Sequence, residues 1–148
     1  MNNKFNLWRI SCKSILYCIF ISLCGLSNAF AQETADLKGY WAMKPFATGT
    51  ANVSYFDGQG KSILYSFTCH FEDFTVTSDE APEESNYQVM DGVIHLSYPQ
   101  LGEDMSQTLI IKNLEKNYLR LEQAITPDVD LYYEYERVDG VRHLCPSK

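Results

Sequence analysis

The chain has 148 residues, of which 12 are lysine or arginine and 19 are aspartate or glutamate, so its formal net charge is −7 at pH 7. This excess of carboxylates excludes the basic surfaces that nucleic acids and anionic lipids require, and makes a cationic partner the electrostatic expectation. The length allows one domain with a single hydrophobic core.

The first 31 residues have the pattern of a secretion signal. Three basic residues precede an apolar run over 14–26, and Ala29 and Ala31 supply the small residues of a cleavage site. The run is short for a bilayer span, so a retained membrane anchor is the weaker interpretation, and we predict no stable membrane insertion after cleavage. We therefore predict a secreted protein, periplasmic if the producer is Gram-negative, whose mature domain covers 32–148. That domain keeps nine basic and 19 acidic residues, a net charge of −10.

Two cysteines, Cys69 and Cys145, remain after removal of the signal. A pair of cysteines in an exported chain usually forms one disulfide. The bridge would close a loop of 76 residues and would stabilise the fold by about 4 kcal/mol. The alternative, two free thiols in a metal or redox site, is disfavoured because the pair has no CxxC spacing.

From Leu37 onward, short runs of alternating apolar and polar residues are separated by turn sequences about every ten residues. Asp91-Gly92 indicates a type I′ hairpin, and 57–60 and Lys116-Asn117 indicate two further reversals. Beyond a first strand that begins near Leu37, the predicted strands cover 51–56, 61–71, 73–77, 86–90, 93–98, 105–114, 118–125 and 131–138. The pattern predicts an all-β domain of about eight or nine strands, a single antiparallel barrel or a sandwich.

The first and last strands carry three residues that suit a closed barrel. Trp41 can plug one end, Gly39 lets the backbone pass close by, and Arg137 can lie over the indole face. With Gly-x-Trp on the first strand and Arg on the last, the chain resembles the lipocalin-like (calycin) families. The resemblance implies an up-and-down barrel with a binding function. Among lipocalins a disulfide from a mid-barrel strand to the C-terminal tail recurs, and Cys69–Cys145 would match it.

Aromatic residues on the predicted strands allow two interpretations. They fill the core, or they line a cavity for one small apolar ligand, since barrels of about eight strands do either. On the second interpretation, tyrosine hydroxyls orient the ligand. The predicted ligand-binding residues are Tyr65, Phe67, Tyr98, Tyr133 and Tyr135. Because Cys69 shares a face with Tyr65 and Phe67, an inward orientation of that face would require Cys145 to reach over the barrel rim.

The segment 78–85 is a polar, acidic break between predicted strands. Its carboxylates Asp79, Glu80, Glu83 and Glu84 could dock on a cationic protein partner, as those of periplasmic inhibitors and immunity proteins do. The alternative is a solvated loop without a partner.

The histidines and nucleophiles show no catalytic pattern. His70, His95 and His143 lack the spacing of metal ligands, and the chain has no GxSxG elbow beside a base. We therefore predict a non-catalytic protein without metal or cofactor. Its expected function is to bind a small apolar molecule, with a periplasmic inhibitor or immunity protein as the alternative, and we expect no nucleic-acid partner.

Overall fold

A computed structural model describes residues 36–78, 81–100 and 103–148. The predicted signal segment, Asp79 and Glu80 lie outside these residues. Nine strands make up the described part of the chain: β1 (Gly39–Met43), β2 (Thr50–Phe56), β3 (Lys61–His70), β4 (Thr75–Ser78), β5 (Glu83–Met90), β6 (Val93–Gln100), β7 (Glu103–Leu114), β8 (Tyr118–Thr126) and β9 (Val129–Val138). In these residues, no helix is long and apolar enough to cross a membrane.

Eight of the strands form a closed antiparallel barrel. The sheet order is β2-β1-β9-β8-β7-β6-β5-β3, and pairing of β2 with β3 closes the ring. The remaining strand, β4, pairs with the second half of β3, from Phe67 to His70, whereas β5 pairs with the first half, from Lys61 to Leu64. The prediction of an all-β antiparallel barrel is confirmed, and the structure is consistent with a calycin-like barrel.

Turn chemistry explains where the strands reverse. Asp91 and Gly92 have φ values of 52° and 74°, so both central residues are left-handed, as a type I′ turn requires. The acidic segment differs from its prediction, because β5 begins at Glu83 rather than near Asn86. Pairing with β3 draws Glu83 and Glu84 into the sheet, opposite Leu64 and Ile63.

The inward face of the barrel follows from a single row of paired residues. Trp41 is fully buried in the core and lies opposite Ser54, which lies opposite Leu64, which in turn lies opposite Glu83. Residues directly opposite each other project from the same face of a sheet, so all four project inward. Because barrel strands tilt, a row perpendicular to them climbs along the barrel axis.

This row corrects the predicted orientation of β3. Leu64 faces the interior, so its neighbour Tyr65 and the in-phase residues Phe67 and Cys69 face outward. Alternation defines two faces but does not say which one is inside. The expected route of the C-terminal tail over the rim is therefore unnecessary.

The tail instead crosses the outer surface of the sheet. Cys145 forms the predicted disulfide with Cys69, and the His143 ring lies 5.6 Å from the Phe67 ring, edge to face. On the neighbouring strands, a group of small outward-facing side chains is also only 0–2% exposed, namely Ala42, Ala51 and Val53. The tail thus covers part of the outer face of β3.

Candidate binding cavity

One end of the barrel is closed by Trp41 and its contacts. The Arg137 guanidinium carbon lies 4.3 Å from the centre of the indole ring, a cation–π geometry. The indole Nε1 donates a 2.7 Å hydrogen bond to the Leu37 carbonyl oxygen, and both Leu37 and Trp41 are fully buried.

The guanidinium also fastens the entering chain to the last strand. Arg137 Nη1 donates to the Lys38 carbonyl oxygen at 2.6 Å, and Nη2 donates to the Asp36 carbonyl oxygen at 2.8 Å. Gly39 has φ +124°, and a Cβ at this position would lie 3.1 Å from Arg137 Nη1. Glycine is therefore favoured here by its backbone conformation, and any side chain would also displace the guanidinium by a few tenths of an ångström.

Above this closed end, the barrel encloses a cavity of about 230 Å³. At about 30 Å³ per water molecule, this space suits one small organic molecule. The residues that line it are Asn52, Ser54, Phe56, Ser62, Ile63, Leu64, Glu83, Ser85, Leu96, Tyr98, Gln107, Leu109, Leu119, Leu121, Tyr133 and Tyr135.

The two sides of the cavity differ in polarity. Strands β6, β7 and β8 contribute a leucine wall, consisting of Leu96, Leu109, Leu119 and Leu121. Strands β2, β3 and β5 contribute a polar wall, consisting of Asn52, Ser54, Ser62 and Ser85. Its Ser62 and Ser85 hydroxyls lie 2.7 Å apart and share a hydrogen bond. The lining is thus amphipathic, with a surface for apolar groups facing a surface of hydrogen-bonding groups.

Two tyrosines extend from β9 into the cavity. Tyr135 is 5% exposed, and its burial raises the pKa of its hydroxyl to about 12, against the opposing effect of hydrogen bonds from Asn52 and Ser54. Burial also raises the pKa of Tyr133, whose hydroxyl donates a 2.6 Å hydrogen bond to Gln123 Oε1. Both phenols are therefore neutral at physiological pH and act as hydrogen-bonding groups rather than as bases.

Glu83 marks the solvent edge of the cavity. Among the described residues that line the space, it alone is exposed. It is the first residue of β5, and its partner Leu64 is the last residue of β3 that pairs with β5. After this pair, β3 no longer pairs with β5 and pairs with β4 instead, from Phe67 onward. The barrel wall between β3 and β5 therefore ends beside Glu83.

The structure separates the predicted ligand-binding residues into two groups. Tyr98, Tyr133 and Tyr135 line the cavity, whereas Tyr65 and Phe67 do not contribute to its lining and project from the outer face of β3. Of the predicted partner-binding carboxylates, Glu83 reaches the cavity. Its neighbour Glu84 projects outward from the same strand.

Sequence reasoning missed the polar wall and the leucine wall. A signal for the polar wall was present, because Asn52 and Ser54 alternate in phase with Phe56, which lies opposite Ser62 across the 57–60 reversal. Once Phe56 is placed in the core, the same face must carry Ser54 and Ser62.

Within the described part of the chain, no group of three or more histidine, cysteine, aspartate or glutamate side chains could hold a metal ion. Comparison of the chain with protein-family models, with curated proteins and with solved structures finds no match.

Proposed function

We propose that this protein is an exported, non-catalytic binding protein that holds one small, largely apolar molecule inside a lipocalin-like barrel. The observation that carries the proposal is the cavity of about 230 Å³ beside the leucine wall. Small-molecule sites are concave, mostly apolar and equipped with a few polar groups that fix orientation. The leucine wall and the tyrosine and serine hydroxyls supply these two elements.

Export agrees with the disulfide and with the basic-then-apolar pattern of the first 31 residues. A disulfide between Cys69 and Cys145 persists in oxidising compartments and is rare in the cytosol. The neutral phenols of Tyr133 and Tyr135 support binding rather than proton transfer, because their pKa values are raised by burial and a general base needs a pKa near the working pH.

The test is calorimetric titration of the mature protein with octan-1-ol, a small neutral amphiphile. Leu96→Trp should fill the cavity from the leucine wall and abolish binding, at a stability cost of about 1–3 kcal/mol for overpacking. Met90→Trp is the matched control, since Met90 is 44% exposed and projects from the outer face of β5. Octan-1-ol binding that survives Leu96→Trp, or is absent from the wild type, would contradict the proposal.

A second candidate function, inhibition or immunity through a cationic partner, draws support from the end of the barrel opposite Trp41. Exposed large apolar side chains lie there on the β3–β4 and β8–β9 turns and their flanks, namely Phe71, Phe74, Ile125 and Val129. Carboxylates stand next to them in the chain, namely Glu72, Asp73, Asp128 and Asp130. A mixed apolar and acidic surface suits a cationic protein. Loss of partner capture in a Glu72→Gln/Asp128→Asn/Asp130→Asn variant would support this surface, and loss in a Glu80, Glu83 and Glu84→Gln variant would assign the contact to the acidic segment 78–85.

A further inference from the structure

The cavity has a charged group at its entrance that its apolar lining does not explain. Glu83 shares the inward face of β5 with Ser85, Tyr87 and Val89, of which Tyr87 and Val89 are buried. Inward carboxylates in a small barrel are costly unless they are solvated or paired. Among the described residues, the Glu83 carboxylate has no hydrogen bond or ion pair to a side chain, and Glu83 is exposed, so its charge stands in solvent at the edge of the cavity.

The residue next to Glu83 in the chain is also acidic, because Glu84 follows it on the outer face of β5. No lysine or arginine is among the described residues that line the cavity. The lysine of the neighbouring strand, Lys61, is three residues from Leu64, about 10 Å along β3, and projects from the outer face.

From this arrangement we infer that the ligand carries a cationic group, such as a protonated amine, which pairs with Glu83 while its apolar body lies against the leucine wall. The inference rests on the proposed binding function and specifies its ligand class. Two residues further along β5, about 7 Å away, the Ser62–Ser85 hydroxyl pair is the next polar group below the carboxylate. The hydroxyls of Ser62 and Ser85 therefore offer further hydrogen-bond acceptors to an ammonium group that pairs with Glu83.

The experiment compares three probes that share one alkyl chain, namely octan-1-ammonium, octan-1-ol and octanoate. Each is titrated calorimetrically into the mature protein at pH 7 and low salt. Wild-type protein should bind the ammonium about fivefold more tightly than the alcohol, the upper range for an exposed ion pair, and should bind octanoate most weakly. Because the pair is solvent-accessible, the preference should shrink at high ionic strength.

Two isosteric variants test whether Glu83 causes the preference for the ammonium over the alcohol. Glu83→Gln should remove the preference, so that the ammonium binds no more tightly than the alcohol. Glu84→Gln removes the same charge one residue away on the outer face and should keep the fivefold preference. An equal loss in both variants would assign the effect to the domain's overall negative charge and overturn the role of Glu83.

The outcomes distinguish this inference from the function on which it rests. Binding of all three probes with equal affinity would overturn the cationic preference and leave the apolar binding function standing. Failure of all three probes to bind would overturn both. Tighter binding of octanoate than of the ammonium would also refute the inference.

Discussion

Removal of the disulfide offers the most quantitative test of how the C-terminal tail stabilises this barrel. The variant Cys69→Ala/Cys145→Ala opens a loop with a sequence separation of 76 residues. The loop-entropy relation gives about 4 kcal/mol for this length. Alanine is preferable to serine, because Cys69 is 4% exposed and a buried, unpaired hydroxyl would add its own cost.

A second variant separates the crosslink from the cover that the tail provides. Truncation after Val138 removes the disulfide, and we expect it also to uncover Val53, which is fully buried on the outer face. Burial of one valine side chain contributes about 1.5–3 kcal/mol. The truncated chain should therefore be less stable than the double alanine variant by about 2 kcal/mol.

Urea denaturation of the oxidised wild type, the double alanine variant and the truncated protein measures both differences, with the slope of each transition checked for two-state behaviour. A loss below about 1 kcal/mol in the double alanine variant would refute the loop-entropy argument. Equal stability of the truncated and double alanine proteins would refute the interpretation of the tail as an apolar cover.

Three further predictions concern the closed end and the cavity. Trp41→Ala should lower the free energy of unfolding by about 3–5 kcal/mol, as for other large buried aromatics, and a change within about 0.5 kcal/mol in urea denaturation would show that Trp41 is not the plug. Arg137→Lys should lower it by about 1.5–3 kcal/mol, because one ammonium cannot reach two carbonyl oxygens and also cover the indole ring; stability equal to wild type would contradict the role of the guanidinium. The ordinary pKa of a tyrosine hydroxyl is about 10, and burial raises the pKa of Tyr135 to about 12. The buried neutral phenol of Tyr135 therefore stabilises the fold fully below pH 10, and this stabilisation is lost as the pH rises to 12. The stability of wild type relative to Tyr135→Phe should therefore fall by about 3 kcal/mol over that interval, and parallel pH profiles in thermal or urea unfolding would contradict the burial of a neutral phenol.

Several features of the fold could be predicted because they depend on neighbouring residues. The Asp91-Gly92 turn has φ values that glycine and aspartate adopt at low cost. The disulfide was predictable because an exported chain with two cysteines usually pairs them. Trp41 and Arg137 meet for a topological reason, since the first and last strands of a closed barrel must pair. None of these inferences required knowledge of which residues pair between strands that are far apart in the chain.

The orientation of β3 could not be predicted in the same way. Its outward face carries Tyr65 and Phe67, which looked like core residues because the alternation rule assumes that the outer face meets water. Part of that face meets the tail instead, which contributes the His143 ring against Phe67. On the other face of β3, Leu64 is the one apolar residue among Ser62, Ser66, Thr68 and His70, and it is the residue that indicates the correct orientation.

The sequence by itself determined the strand period, the reversals, the disulfide and the closing motif, because each depends on local conformation or on chain order. Tertiary structure alone decided which faces turn inward, that a cavity remains beside the leucine wall, and that Glu83 stands at its edge. These depend on the registers of strands far apart in the chain and on their tilt in the closed barrel. A shift of one residue in any of those registers would exchange the inner and outer faces, and local periodicity carries no information that distinguishes the two.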